Sequence, residues 1–416
     1  MSQALAILGG TPVRTRPFGT WPIFGAPEEE GLLRTLRSGQ WGKLQGPEVA
    51  EFERRFAAMH GAKHAIGVVN GTVSLRIALM AAGIKAEDEV IVPPYTFLAT
   101  ATAVVEANAV PVFADIDLET FNLDPRALEA AITPRTRAII PVHMGGQPAD
   151  MDAIMAIARR HDLVVIEDAA HAHAALYGQR PAGSIGHLGS FSFQSTKNLT
   201  SGEGGIVITS DDQLAEACRS IHNCGRIAGG LWYEHHVMAG NYRLGEFQGA
   251  ILNAQLDHLE SQTQTRDNNG QYLAARLSRL PGIHPQKRPA ACTRHSYHLF
   301  LFRIDAAAFG APRGAVLRAL EAEGIPVSGG YAVPLYRQPL FLNRAFGPYL
   351  PNAVRTLDYG KVRCPNCEKI CGEQGAWLEQ SLFLGPQADM DDIATAFEKV
   401  YEQRGALSRW ASERAP

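Results

Sequence analysis

The chain is poor in cysteine, in long apolar runs and in excess charge. Its six cysteines among 416 residues are too few for a disulfide framework and favour reduced thiols. No stretch approaches the roughly 18 apolar residues of a membrane span, and no basic start precedes a long apolar run at the N-terminus, so we expect a cytoplasmic protein. A formal net charge of −3 gives no electrostatic reason to expect nucleic acid or a membrane as a partner.

The chain does have a regular alternation of short β-rich runs and amphipathic helical stretches. The runs are AIGVV (65–69), EVIVP (89–93), VPVFADI (110–116), RAIIPVH (137–143), LVVIED (163–168), SFSF (190–193) and GIVITS (205–210), and helical stretches cover 73–82, 99–107, 125–131 and 151–160. Continuously apolar strands that are joined by helices are typical of a doubly wound α/β domain with a mostly parallel sheet.

The region after about residue 261 has a different pattern. YHLFLFRI (297–304) alternates like a half-exposed strand, and helical segments follow at 313–323 and 391–403. Proline and glycine are frequent between 324 and 351, which predicts a long irregular loop. We therefore predict a large α/β domain over residues 30–260 and a smaller α+β domain over 261–416, with which residues 1–29 associate.

An acidic pair and a lysine follow two of the predicted strands. Glu167 and Asp168 end a buried strand, and ligands of open α/β sheets bind at the carboxyl ends of strands. Lys197 follows the serine-rich strand and precedes a glycine-rich turn at 202–205. A desolvated lysine has a lowered pKa, as a Schiff-base nucleophile requires. Asp168 would then face the pyridine nitrogen of pyridoxal 5'-phosphate (PLP) and keep it protonated.

Taken singly, these residues have plainer interpretations. A lysine between threonine and asparagine is usually a solvated loop residue, and an aspartate at the end of a strand often caps a helix. The combination of buried acid, serine-rich strand, lysine and glycine turn is what indicates a cofactor site.

A second motif, VVNGTVSLRIAL, places Asn70, Gly71 and Thr72 between a strand and a helix. Free backbone N–H groups at the start of a helix bind phosphate readily. An ordinary capping turn with Thr72 as the N-cap would give the same pattern.

A third motif, PPYTFLATATAVV, puts Tyr95 and Phe97 at the carboxyl end of a strand. An aromatic ring there would stack on a pyridine ring, although aromatics in that position more often belong to the core.

Three cysteines near the C-terminus form a separate candidate. Cys364, Cys367 and Cys371 resemble half of a zinc site, which would make the C-terminal lobe a metal-binding regulatory module. A structural zinc needs four ligands and no second Cys-x2-Cys pair occurs. Because Cys367 and Cys371 are four residues apart, packing on one face of a helix explains them more simply. We expect no metal.

Together these segments resemble the DegT/DnrJ/StrS family of PLP-dependent aminotransferases, which act on keto-sugars and keto-cyclitols. The FSFQ-x-x-K-x-x-x-x-GEGG run after EDAAHAH is the most specific part of the resemblance. The remaining motifs are GGTPVR, RSGQWGKLQGPEVAEFERRFA, NGTVSL, YTFLATA, PVFADID, PVHMGGQPADMDAI, AGNYRLGEFQGAI, HSYHLF and VPLYRQPLF. The resemblance implies the aspartate-aminotransferase fold (fold type I), in agreement with the two lobes.

The resemblance also implies roles for individual residues. Lys197 matches the lysine that carries the cofactor, and Asp168 matches the partner of the pyridinium nitrogen. His171 matches the position beside the 3-hydroxyl of the cofactor, and Phe97 matches the ring-stacking residue. The positions that match phosphate contacts are Gly71, Thr72, Val73, Ser192 and Asn241. Asn241 would reach the cofactor of the neighbouring subunit, which implies a homodimer with shared active sites.

Several features narrow the expected reaction. Relatives that dehydrate sugars carry histidine in place of Lys197, so this chain is expected to transfer amino groups. The EDAAHAH pairing, HNCGR (222–226) and the C-terminal tail are similar to relatives that use glutamine to aminate scyllo-inosose and 2-deoxy-scyllo-inosose. Relatives that act on nucleotide-linked keto-sugars more often carry glutamine at position 171, and such a sugar is the alternative acceptor. A PLP-binding regulator without turnover is a further alternative, although loss of the lysine would then be expected.

The expected cycle is ping-pong, with glutamine or glutamate as the amino donor and pyridoxamine phosphate as the form that carries the amino group. The freed Lys197 would move the proton as general base and acid. The polyol face of the acceptor needs hydrogen-bonding partners, and the candidates from predicted loops are Trp41, His143, His298 and Tyr336.

Overall fold

The computed structural model describes residues 4–353 and 356–414. Its strands, numbered in chain order, are β1 (His64–Val68), β2 (Glu89–Val92), β3 (Val110–Phe113), β4 (Thr136–Ile139), β5 (Val164–Asp168), β6 (Leu176–Tyr177), β7 (Arg180–Pro181), β8 (Leu188–Ser192), β9 (Gly205–Thr209), β10 (Ile283–Pro285), β11 (Cys292–Arg294), β12 (Leu299–Ile304) and β13 (Gly375–Glu379).

The α-helices are numbered in the same way. They are α1 (Ala26–Ser38), α2 (Glu48–His60), α3 (Gly71–Ala81), α4 (Ala99–Glu106), α5 (Pro125–Ala130), α6 (Met151–His161), α7 (Asp212–His222), α8 (Glu246–Leu277), α9 (Ala306–Phe309), α10 (Arg313–Ala322), α11 (Pro339–Leu342), α12 (Pro365–Lys369), α13 (Gln387–Glu402) and α14 (Arg404–Ser412). Within the described ranges, no helix has both the length and the apolar character that crossing a bilayer requires.

Seven strands form the central sheet in the order β1-β9-β8-β5-β4-β2-β3. Strand β9 is antiparallel to its neighbours β1 and β8, and the other neighbouring pairs are parallel. Helices cover both faces, because Val90 and Val92 of β2 pack into one apolar cluster while Ile91 between them packs into another. This double burial explains the continuous apolar runs. The expected α/β domain with a mostly parallel sheet is confirmed.

The C-terminal lobe is built on a small antiparallel sheet in the order β10-β12-β13. The expected half-exposure of β12 is wrong. Phe300 and Phe302 pack into the core of this lobe, whereas Leu299 and Leu301 pack into the main cluster of the large lobe. Both faces of the strand are therefore buried, and its alternating pattern separates two cores.

The long helix α8 connects the two lobes. It packs against the large lobe through Leu252 and Leu259, and against the C-terminal lobe through Leu273 and Leu277. The predicted division between residues 260 and 261 thus falls inside one continuous helix of 32 residues.

The N-terminal segment lies on the C-terminal lobe. Leu5 is buried in the core of that lobe, and the Glu323 carboxylate accepts hydrogen bonds from the N–H groups of Ala6 (2.8 Å) and Val13 (3.0 Å).

The proline- and glycine-rich stretch 324–351 contains the short helix α11 rather than loop alone. It packs on the large lobe, where Tyr336 and Phe341 contact the ring of Phe113 at centroid distances of 5.7 and 5.4 Å.

Candidate active site

A cavity of about 820 Å³ lies between the carboxyl ends of the parallel strands and the C-terminal lobe. This position follows from the topology, because the loops that leave parallel strands converge at one edge of a sheet. The structure brings most of the predicted site residues into its wall: Gly71, Thr72, Phe97, Asp168, His171, Ser192, Lys197 and His298.

Asp168 is the last residue of β5 and is 6% exposed. Its Oδ2 accepts a hydrogen bond of 2.8 Å from the hydroxyl of Thr100, and its Oδ1 accepts one of 3.2 Å from the N–H of Ala170. Burial raises the pKa of Asp168, while the Thr100 hydrogen bond and the charge of Lys197 oppose that rise without cancelling it. The carboxyl group is therefore held in one orientation by Thr100 of α4 and by the backbone of the turn that follows β5.

Lys197 lies in the turn that follows β8. Burial lowers the pKa of Lys197 to about 8, and the negative charge of Asp168 opposes this shift. The next residue, Asn198, fastens the turn to the C-terminal lobe by donating 2.7 Å to the carbonyl of Ser296. Because of the lowered pKa, a substantial fraction of the Lys197 amine is neutral near pH 8. The neutral amine is the form that attacks a carbonyl group.

Two histidine rings meet on the same side of the cavity. The rings of His171 and His298 are 4.3 Å apart, and both side chains are buried. Burial lowers the pKa of each well below its usual value, with a smaller contribution from the charge of Lys197. Nδ1 of His298 contacts Oδ1 of Asn198 at 3.1 Å, whereas Nδ1 of His171 has no partner among the described residues. Both rings are neutral at neutral pH, so they offer hydrogen bonds rather than charge.

The start of α3 forms the opposite wall. Asn70, rather than Thr72, is the N-cap, and its side chain accepts 2.9 Å from the N–H of Val73. The N–H of Val73 is therefore already satisfied, and Val73 does not line the cavity. The backbone N–H groups of Gly71 and Thr72 have no hydrogen-bond partner within the described ranges. A Cβ at Gly71 would lie 2.7 Å from that of Ser192, so only glycine lets the helix begin this close to β8. Two free N–H groups and nearby hydroxyls make a cradle suited to an anion.

Phe97 presents a flat apolar surface. It is 60% exposed although it lines the cavity, whereas Tyr95, two residues earlier, is 1% exposed and belongs to the core. A planar ligand over Phe97 would bury this ring area and is favoured for that reason.

Two predicted substrate residues do not reach the cavity. Nε2 of His143 contacts Oε2 of Glu167 at 2.8 Å in the buried layer beneath the sheet edge. The hydroxyl of Tyr336 donates 2.6 Å to Glu368, and its ring lies in the core. Both side chains are fully buried and hydrogen-bonded elsewhere, so their contribution is structural.

Two further predicted residues, Trp41 and Asn241, lie outside the cavity. The ring of Trp41 packs on Phe247 at a centroid distance of 5.8 Å and is 53% exposed. Asn241 belongs to an exposed loop that pairs with Asn223.

The cavity wall also contains residues that the sequence did not single out. Trp21 comes from the N-terminal segment, and its Nε1 donates 3.0 Å to the carbonyl of Ser195. Tyr331, Trp377 and Gln380 come from the C-terminal lobe. These residues are too distant in sequence from Lys197 for any motif to group them with it. Thr100 alone had a local signal, because it lies one helical turn after Phe97.

The C-terminal cysteines pack in the main apolar cluster, where Cys364, Cys367 and Cys371 are each at most 1% exposed. The sulfur atoms of Cys367 and Cys371 are 3.8 Å apart. Burial raises the pKa of the Cys364 thiol to about 12, and that of Cys367 is raised further. Across the described residues, no group of three or more metal-ligating side chains is close enough to hold an ion.

The chain is similar to known proteins along most of its length. Residues 24–374 match the DegT/DnrJ/EryC1/StrS aminotransferase family. An L-glutamine:2-deoxy-scyllo-inosose aminotransferase of Streptoalloteichus tenebrarius is 39% identical, with 98% of this chain and 100% of the relative covered. The crystal structure of 3-amino-5-hydroxybenzoic acid synthase has a TM-score of 0.83 and 36% identity over 94% of this chain and 99% of that chain. DesI in the presence of its TDP-sugar product has a TM-score of 0.82 and 30% identity over 99% of both chains.

Proposed function

This chain belongs to the DegT/DnrJ/EryC1/StrS aminotransferase family, and from that premise we propose that it uses PLP to move the amino group of L-glutamine or L-glutamate to a keto-cyclitol such as scyllo-inosose. The enzyme is an aminotransferase of fold type I. The 39% identity to an aminotransferase named for 2-deoxy-scyllo-inosose supports a cyclitol acceptor over a nucleotide-linked sugar, since the relative with a TDP-sugar is 30% identical.

The residues of the cavity fit PLP at each of its functional groups. An amine with a lowered pKa, Lys197, is available for the aldehyde, and the buried Asp168 suits the pyridine nitrogen. The unpaired Nδ1 of His171 suits the ring hydroxyl. The free N–H groups of Gly71 and Thr72 suit the phosphate, as does the nearby Ser192. The juxtaposition of Lys197 and Asp168 in one cavity wall is the observation that carries the proposal.

When bound, PLP supplies an electron-withdrawing ring that stabilises negative charge at the Cα of the substrate. Lys197 would hold the cofactor through its Nζ, and the same amine, once released, would be the base that removes the proton from the Cα of the donor. Asp168 would keep a proton on the ring nitrogen, and the hydroxyl of Thr100 holds the carboxylate in one orientation for that role. The same residues would act in the reverse order on the acceptor ketone, so we expect ping-pong kinetics.

We further propose a homodimer in which Asn241 completes the phosphate site of the partner. The loop that carries Asn241 also exposes Leu231 (77%), Trp232 (76%) and Met238 (88%). An exposed apolar group of this size is typical of a protein–protein interface. Mixing Lys197→Ala with Asn241→Ala subunits provides a test, because a mixed dimer would regain one complete site. If the mixture stays as inactive as the two separate variants, the shared-site dimer is excluded.

The cofactor chemistry is tested by absorbance. Protein supplied with PLP should show a visible band that decays when L-glutamine is added, and Lys197→Ala should show neither signal. Absence of the band from the wild type would contradict the proposal.

The acceptor is tested separately by a panel of keto-cyclitols and nucleotide-linked keto-sugars, scored by amine formation. We expect cyclitol ketones to be aminated faster. Preferential turnover of a nucleotide-linked sugar would overturn the acceptor while leaving the aminotransferase chemistry intact.

A further inference from the structure

A buried cation lies behind the wall of the cavity that the C-terminal lobe supplies. Arg266, on α8, has no exposed surface, and no described carboxylate forms an ion pair with it. Its Nε and Nη2 both donate to Oε1 of Gln380, at 3.0 and 2.6 Å. Its Nη1 has no partner among the described residues, and the guanidinium lies 5.1 Å from the ring centre of Trp21. A guanidinium stays protonated even when buried, so this charge has no fixed counter-ion among the residues that the structure describes.

The pair of hydrogen bonds determines which way the Gln380 amide faces. Because a guanidinium only donates, the oxygen of the amide must point toward Arg266 and the nitrogen must point away from it. Gln380 is 3% exposed, yet its side chain lines the cavity. No described residue accepts a hydrogen bond from its Nε2. The two N–H groups of Gln380 are therefore available to a ligand in the cavity.

The surroundings favour an anionic ligand atom. Arg266 polarises the amide, and a polarised amide is a stronger donor. Three acids lie in the cavity wall. The charge of Lys197 offsets that of Asp168, and Glu203 and Glu379 are exposed to solvent. Water screens the two exposed carboxylates far more than it screens the buried guanidinium.

We propose that Gln380 binds the α-carboxylate of the amino donor and that Arg266 is the positioning residue that fixes the Gln380 amide. This inference rests on the proposed function, because it assigns the donor of that reaction to one part of the wall. The occupant is an amino acid carboxylate rather than a hydroxyl of the acceptor.

The test separates the two halves of the reaction. In ping-pong kinetics, kcat/KM for the donor is independent of the acceptor, and kcat/KM for the acceptor is independent of the donor. Gln380→Leu should lower kcat/KM for L-glutamine by about 10- to 100-fold, the range for a hydrogen bond to a charged group. Gln380→Glu should lower it further, because the new carboxylate repels that of the donor. kcat/KM for the ketone acceptor should stay unchanged in both variants.

A matched control comes from a second glutamine–arginine pair in the same lobe. Oε1 of Gln374 accepts 2.9 Å from Nη1 of Arg303, and Gln374 does not line the cavity. Gln374→Glu introduces the same change of charge beside an arginine and should leave the donor kinetics unchanged.

The carboxylate itself is tested with the α-amide of L-glutamine, in which a neutral amide replaces the carboxylate. The wild type should prefer L-glutamine over this amide, and Gln380→Leu should lose most of that preference. Arg266→Met should lose it as well, while Arg266→Lys should restore part of it. A merely structural role would lower turnover of both donors alike. If Arg266→Met does not fold, Arg266→Lys and the Gln380 variants still test the inference.

The inference is overturned if the Gln380 variants keep the wild-type preference, or if kcat/KM falls equally for donor and acceptor. A fall in kcat/KM for the acceptor alone would also overturn the inference, since the Gln380 amide would then bind a hydroxyl of the acceptor. Failure of the proposed function looks different, because the wild type itself would then not react with L-glutamine.

Discussion

Replacing Thr100 by valine removes one hydrogen bond from the buried carboxylate of Asp168 and changes little else in shape. The hydroxyl of Thr100 is 2.8 Å from Oδ2, and the two residues are 1% and 6% exposed, so water cannot readily substitute. A hydrogen bond to a buried charged group contributes about 1.5–3 kcal/mol. The loss should therefore raise the pKa of Asp168 further and lower the free energy of unfolding near neutral pH by an amount of that order.

The sign of the pH dependence follows from the direction of that shift. A carboxyl whose pKa is raised by folding holds a proton that the unfolded chain has released, so stability falls as pH rises between the two pKa values. Thr100→Val enlarges this effect. Its destabilisation should therefore be small in acid, where the carboxyl is protonated in both states, and should reach its full size near neutral pH.

The assay is urea unfolding of the cofactor-free protein at several pH values, with Thr102→Val as the matched control. Thr102 lies on the same helix but is only half-buried, and its hydroxyl makes a solvent-exposed hydrogen bond of 3.2 Å to the carbonyl of Leu98. The control should change the free energy of unfolding by less than about 0.5 kcal/mol. If both variants lower the free energy of unfolding by the same amount, the role given to Thr100 is wrong. It is also wrong if the loss of stability in Thr100→Val does not grow with pH.

Two further outcomes are expected. The rate at which PLP attaches to the protein should rise with pH around a midpoint near 8, because burial lowers the pKa of Lys197 to about 8 and only the neutral amine attacks. Stopped-flow absorbance measures this, and a midpoint near the ordinary lysine value of 10.5 would contradict it. Gly71→Ala should cost roughly 1–3 kcal/mol of stability and weaken PLP binding, because its Cβ would lie 2.7 Å from a side chain of β8. Gly314→Ala, where a Cβ meets nothing within 4 Å, should be neutral or slightly stabilising, and equal effects in thermal melts would refute the steric argument.

The parts of the molecule that sequence predicted are those that local chemistry determines. A strand buried on both faces is apolar at successive positions, so the runs at 89–93 and 163–168 were recognisable as members of a covered sheet. The carboxyl ends of parallel strands meet at one edge, so Asp168 and the turn at Gly71 were expected to share a site. Lys197 was predicted to belong to the same site because the FSFQ-x-x-K-x-x-x-x-GEGG run around it is specific. All three line one cavity.

Other features required the tertiary structure because they depend on which distant segments meet. Asn70 and Thr72 are both residue types that cap helices well. Asn70 is the N-cap because α3 begins at Gly71, where the backbone packs closely against β8. Nothing in the sequence near His143 shows that its ring is directed to Glu167 and away from the cavity.

The cavity as a whole shows the same division. Its sheet side, with Asp168 and Lys197, was determined by patterns that lie within a few residues of each strand end. Its far side depends on Arg266 and Gln380, which are 114 residues apart in the chain and meet only when α8 packs against the C-terminal lobe. A hydrogen bond between such segments has no local signature, since neither residue type nor spacing records the partner. The sequence by itself therefore determined which lysine and aspartate to expect in the site, and the packing of the two lobes decided which groups surround them.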